Sequence, residues 1–126
     1  MKIVLLIARL LMGLMFFVLG LNPFLNFIKA PLPPGLPGQF LSVLFQSHYV
    51  YFVGAVQVIG GALLLINRYV PLALTLLGPV IVNILVYHLT MDPKGIGLGL
   101  VAALCWFLLF FHLRENFAGL FVARTS

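Results

Sequence analysis

Tyr69-Val-Pro-Leu-Ala-Leu-Thr-Leu-Leu-Gly-Pro-Val-Ile-Val-Asn-Ile-Leu-Val-Tyr-His88 runs for 20 residues without a charge. A bilayer core is crossed by a helix of roughly 20 predominantly apolar residues, so the stretch reads as a membrane span. It also carries Pro79, Asn83, Tyr87 and His88, which lipid does not reward. Polar groups at such depth are costly and are retained for packing, for structure or for a site.

Working outward, three further apolar stretches appear, giving spans at about 3–28, 40–66, 69–91 and 96–113. Together they take up nearly all of the 126 residues, so a single bundle domain over 1–126 is expected. The chain is 63% hydrophobic and 7% charged, with a mean hydropathy of +1.23. A soluble domain of this size cannot hide that much apolar surface from water. A β-barrel is disfavoured, because the apolar runs are continuous and lack period-two alternation. The opening Met-Lys-Ile-Val-Leu-Leu-Ile resembles a signal peptide, but Arg9 interrupts it and no Ala-x-Ala-like cleavage site follows. It reads as a retained first span.

The connections are short, apart from Lys29-Ala-Pro-Leu-Pro-Pro-Gly-Leu-Pro-Gly38, whose four prolines and two glycines predict an extended strap lying over the bundle. Pro71 suits the first turn of the third span, and Asp92 is placed to cap the fourth. Short turns force neighbouring helices antiparallel, so the fold class expected is all-α, an up-down-up-down transmembrane four-helix bundle. With four spans, Lys2, Arg9, Arg68, Arg114 and Arg124 fall on one side and Lys29 and Lys94 on the other. The positive-inside bias then puts both termini in the cytoplasm, in a multi-pass protein of the inner membrane. The formal net charge of +5 reports this topology; no basic patch interleaved with exposed aromatics points to nucleic acid. Gly13, Gly20, Gly54, Gly61 and the Gly95/Gly99/Ala103 set mark faces where backbones approach closely. Gly95-x-x-x-Gly99 fits either internal packing or a homodimer.

Cys105 is the only cysteine, which excludes an internal disulfide and a Cys-x-x-Cys redox pair. Asp92 and Glu115, the only acids, lie outside the spans, which argues against a carboxylate proton relay. No Ser-His-Asp set, phosphate loop or nucleotide fingerprint occurs. His48, His88 and His112 lack the further ligands of a zinc site, and no haem signature accompanies them. No metal, and no certain cofactor, is therefore assigned. Tyr49, Tyr51 and Tyr69 suit interfacial belts, and Trp106 is read as facing lipid or filling the core.

The inward polar candidates are Arg9, Gln57, Asn83, Tyr87 and His88. Arg9 shares a helical stripe with Gly13 and Gly20, which points it into the bundle, roughly 10 Å from the boundary and within snorkelling reach. It reads equally as an anchor for an anion or quinone head, or as an arginine bonded to helix-end carbonyls. Gln57 shares a face with Gln46, Gly54 and Gly61 at a depth near that of Arg9, so a contact between the two is expected. Asn83 and Tyr87 lie on the stripe of Pro79, which denies a backbone bond to the Thr75 carbonyl. Asn83 then serves either to compensate that break or to line a pocket. His88 is turned about 140° from Asn83 on an ideal helix.

Arg9-Leu-Leu-Met-Gly13 with Gly20, Gln57-Val-Ile-Gly-Gly-Ala-Leu-Leu-Leu65, and Pro79-Val-Ile-Val-Asn83 with Tyr87-His88 together resemble the bacterial DoxX family across all four spans. The family typically has glutamate where Gln57 stands, so this chain lacks that negative charge. The resemblance implies an accessory or subunit role near quinone-linked redox chemistry, with a membrane or peripheral redox partner. A quinone or other small ligand would then sit among Arg9, Gln57, Asn83, Tyr87 and His88. Distant four-helix relatives imply instead an assembly factor or cargo-binding protein, and a small-solute transporter is a third expectation. Catalysis by this chain alone is not expected.

Overall fold

The computed structural model describes residues 1–25 and 31–123; Lys29, Arg124 and the expected last turn of the first span lie outside them. The described residues form five α-helices: α1 (Lys2–Leu25), α2 (Leu36–Gln46), α3 (Tyr49–Ile66), α4 (Val70–Thr90) and α5 (Ile96–His112). One 3₁₀ turn, Pro93–Gly95, leads into α5, and another, Arg114–Phe121, follows it. The helices over Lys2–Leu25, Tyr49–Ile66, Val70–Thr90 and Pro93–His112 are long and apolar enough to cross a membrane. This is the architecture of a helical membrane protein.

The span expected at 40–66 is two helices. Polar Gln46-Ser47-His48 interrupts it, and His48 takes a left-handed φ of 63°. The Ser47 hydroxyl donates to the Leu44 carbonyl at 3.3 Å and accepts from the Tyr49 N–H at 3.3 Å, closing one helix and opening the next. Such local side-chain bonding competes with helix continuation. Gln46 is thereby separated from Gln57, and it lies exposed on α2 with its amide on the Ser42 hydroxyl at 3.1 Å. The strap is also shorter than expected. Leu36, Pro37 and Gly38 form the first turn of α2, a position that tolerates proline because its N–H needs no partner. A Cβ on Gly38 would collide with the Pro33 carbonyl, so Leu32 and Pro33 of the strap lie tightly against the start of α2.

The four long helices close a ring in which α1 packs on α3, α3 on α4, α4 on α5, and α5 returns to α1. At its centre Met12, Phe16, Leu64, Leu74 and Leu77 are fully buried. The most intimate contact is α1 against α3. A Cβ on Gly61 would lie 2.6 Å from the Phe17 nitrogen and 2.7 Å from the Gly13 carbonyl oxygen. Seven residues on, a Cβ on Gly20 would lie 2.8 Å from the Gly54 carbonyl oxygen. Gly13 faces Gly61 while Gly20 faces Gly54, so the two helices run antiparallel. In α5, Gly99 packs against Ile84, Leu85 and His88 of α4. The Gly95-x-x-x-Gly99 face is thus occupied within the chain.

Pro71 stands in the first turn of α4, as expected, and Pro79 lies inside the helix. Asp92 makes no side-chain cap; it precedes the 3₁₀ turn, and its backbone carbonyl is what the turn uses.

Gly61→Ala should destabilise the bundle by about 1–3 kcal/mol, because the added methyl meets backbone that cannot step aside. Gly97→Ala, which meets nothing within 4 Å, should leave stability unchanged or slightly raised. Reversible unfolding of both variants in mixed micelles checks this.

Candidate functional site

The five expected site residues do not converge. Arg9 is half-buried, and its Nη1 donates to the Leu64 carbonyl and, at 3.4 Å, to that of Leu65. These oxygens belong to the last turn of α3, where helix carbonyls lack intrahelical donors. The same turn ends in a Schellman arrangement: Asn67 takes φ 57°, its N–H reaches the Leu64 carbonyl at 3.3 Å, and the Arg68 N–H reaches that of Leu63 at 3.1 Å. Arg9 therefore completes the cap from another helix and sets its positive charge at the negative end of the α3 dipole.

Gln57 lies elsewhere, two turns back along α3, with its Cβ against Gly20. The expected contact with Arg9 fails because α1 and α3 are antiparallel, and their glycine register pairs Arg9 with Leu64 and Leu65. Asn83 is exposed on the outer surface of α4, and its Nδ2 donates to the Pro79 carbonyl at 2.8 Å. It bonds back to its own helix. Tyr87 packs its ring against Phe40 of α2, centroids 5.5 Å apart, and against His88 at 4.9 Å. His88 is half-buried over Gly95 and Gly99, with Nδ1 donating to the Asp92 carbonyl at 3.0 Å. Proline 79 does not bring Asn83 and His88 onto one face. Of the five, the chain neighbours Tyr87 and His88 pack ring against ring.

Among the remaining histidines, His48 stacks on Tyr51 at 5.8 Å. Among the described residues no group of three histidine, cysteine or acidic side chains is placed to hold a metal. Trp106 neither simply faces lipid nor simply fills the core. Its indole N–H donates to the Leu74 carbonyl at 2.8 Å, and its ring stacks on Phe110 at 5.1 Å, tying α5 to α4. A tryptophan inside a span needs a partner for that N–H, which is the signal that could have flagged it.

A groove opens where the start of α1, the α3–α4 turn and the end of α5 meet. A groove of about 340 Å³ is lined by Lys2, Leu5, Leu6, Arg9, Asn67, Val70, Leu109, His112 and Leu113. Val70 and Leu109 are buried in its floor, while Lys2, Asn67 and His112 stand exposed at its rim. No carboxylate lines it. Arg9 forms part of the wall; a guanidinium has five N–H donors, so its bonds to α3 leave others for the groove. Such a site can accept hydrogen-bond acceptors and negative charge at the rim, and apolar chain along the leucines. Lys2, Asn67 and His112 were legible in the sequence as a topology charge, a turn residue and an unassigned histidine. Their shared bundle end could have been found by grouping the helix termini.

Known family models, curated proteins and solved structures contain nothing that matches the chain. The likeness to the DoxX family rests on the sequence motifs alone.

Arg9→Met should cost roughly 1.5–3 kcal/mol, the usual worth of hydrogen bonds from a charged donor. Arg9→Lys should recover part of it. Trp106→Phe should cost about 1 kcal/mol by the loss of one neutral bond. Unfolding curves in mixed micelles measure all three.

Proposed function

We propose that this protein is a multi-pass protein of the inner membrane that binds the head of an amphiphile in the groove between Lys2, Arg9, Asn67 and His112. Its role is accessory, holding a ligand for a membrane partner rather than carrying out chemistry of its own. The observation that carries this reading is the groove itself, with cations and an amide at the rim over a leucine and valine floor. An up-down-up-down bundle with cytoplasmic termini agrees with the antiparallel register of α1 and α3 and with the distribution of charge. Among the described residues Lys2, Arg9, Arg68 and Arg114 gather at the groove's end, against Lys94 at the other.

The head group favoured is an anionic phosphodiester. Lys2 and Arg9 supply charge without a neighbouring acid in the lining, and basic pockets between helices on the cytoplasmic side suit acidic lipid heads. Acyl chain would follow Leu5, Leu6 and Leu113. A quinone head is the second reading: Arg9 and His112 can both donate to its carbonyl oxygens, and the DoxX resemblance points to quinone-linked redox chemistry. Either reading moves the ligand from the bundle interior, which Met12, Phe16, Leu64, Leu74 and Leu77 fill, to its end. That filled centre gives a small-solute transporter less support. An assembly factor remains compatible with the fold, with the groove then serving structure.

Native mass spectrometry of protein released from mixed phosphatidylglycerol and phosphatidylcholine bilayers tests the proposal. Wild type should retain the anionic lipid above its bulk share. Lys2→Gln with His112→Gln should abolish that enrichment, as should high salt, to the extent that the rim is solvent-exposed. Quinone in the organic extract, with no anionic enrichment, would shift the assignment to the second reading. Neither ligand being retained would overturn both.

A further inference from the structure

The outward face of α4 is a second feature that the groove does not explain. Ala73, Leu74, Leu77 and Ile81 are buried within the bundle, while Thr75, Pro79, Val82, Asn83 and Val86 are exposed on the opposite side. The threonine hydroxyls on this helix donate locally: Thr75 to the Pro71 carbonyl at 2.9 Å, and Thr90 to that of Val86 at 2.7 Å. Asn83 is only partly satisfied. One N–H goes to Pro79, and its side chain makes no other hydrogen bond among the described residues. A carboxamide has two donors and a carbonyl acceptor, so one N–H and the oxygen remain.

Asn83 lies seven residues before the end of α4 at Thr90, about 10 Å inward along the axis. In a bilayer with a hydrocarbon core of about 30 Å, that depth offers no water to satisfy it. Pro79 adds to the demand, because it presents no N–H to the Thr75 carbonyl on the same stripe.

We propose that α4 forms a two-fold homodimer interface in the bilayer, with the two Asn83 carboxamides hydrogen-bonded to each other across the axis. The occupant follows from the chemistry of the face. The exposed Asn83 carboxamide is at once donor and acceptor, so an identical group related by a two-fold axis satisfies both halves. A two-fold interface needs just such self-complementarity. No charge on this face calls for a charged partner, and Pro79 and Val86, each about one turn from Asn83, share its exposed face. The inference rests on the membrane placement of α4 but is independent of what the groove binds.

Full-length protein labelled for single-molecule photobleaching in liposomes, across a range of protein-to-lipid ratios, tests it. Wild type should dimerise, and Asn83→Leu should weaken dimerisation by about tenfold, in line with interhelical polar contacts in membranes. Asn83→Gln should retain most of it, because the carboxamide is kept. Leu104→Ala, on the exposed face of α5, should leave it unchanged. Unfolding in micelles accompanies each variant, and Val86→Cys, one turn from Asn83 on the same exposed face, supplies an independent readout, since a dimer whose axis passes between the two positions should cross-link there under mild oxidation. A monomeric wild type, an unchanged dimer in a folded Asn83→Leu variant, or the absence of Val86→Cys cross-linking in dimeric protein would each overturn the proposal. Wild type that dimerises but retains neither anionic lipid nor quinone would overturn the groove assignment alone.

Discussion

The backbone-to-backbone approach of α1 and α3, with Gly13 facing Gly61 and Gly20 facing Gly54, is the constraint on which the rest of the molecule depends. In lipid there is little hydrophobic gain from pressing two apolar helices together, so association relies on van der Waals packing and hydrogen bonds. Removing side chains at four positions lets the two backbones touch. That register then sets what meets what: it brings Arg9 to the last carbonyls of α3 and holds Gln57 against Gly20. The same register closes the ring by fixing where α4 and α5 dock, and it therefore fixes where the groove opens.

Six polar side chains among the described residues of the spans each donate to a carbonyl. Arg9 takes those of Leu64 and Leu65, Trp106 that of Leu74, His88 that of Asp92, and Thr75, Thr90 and Asn83 those of their own helix. In a medium without water every donor needs an internal acceptor. Arg9 and His88 use carbonyls at helix ends, whereas Thr75, Thr90, Asn83 and Trp106 share carbonyls within α4, so the six do not gather around a common centre. Only Asn83 retains both a donor and an acceptor on an outward face, and this sets it apart from the other five.

The groove is a consequence of three helix ends meeting. The α3–α4 turn is held by the left-handed residues Asn67 and Tyr69, and Arg9 fastens the start of α1 beside it. His112 arrives because α5 is tied to α4 through Trp106. Sequence periodicity places residues on faces of one helix but says nothing about the relative height of two helices. For that reason Arg9 and Gln57 look equivalent in depth in the sequence and are separated in the structure, while Lys2, Asn67 and His112 look unrelated and share a rim.

By itself the sequence determined the class: long uncharged runs, short turns and paired small residues define a helical membrane protein, because bilayer thickness and backbone hydrogen bonding leave few alternatives. It also foretold the close glycine contacts between the first two spans and the proline at the start of α4. Only the tertiary structure decided that the 40–66 stretch divides at Ser47-His48, since capping by a single serine outweighs an otherwise continuous apolar pattern. It alone decided, too, that the polar residues of the 69–88 stretch part company, Asn83 facing outward and His88 turning onto α5. The physical reason is that hydrogen-bond partners in lipid come from neighbouring backbone, and which backbone is near is a property of packing rather than of spacing along the chain.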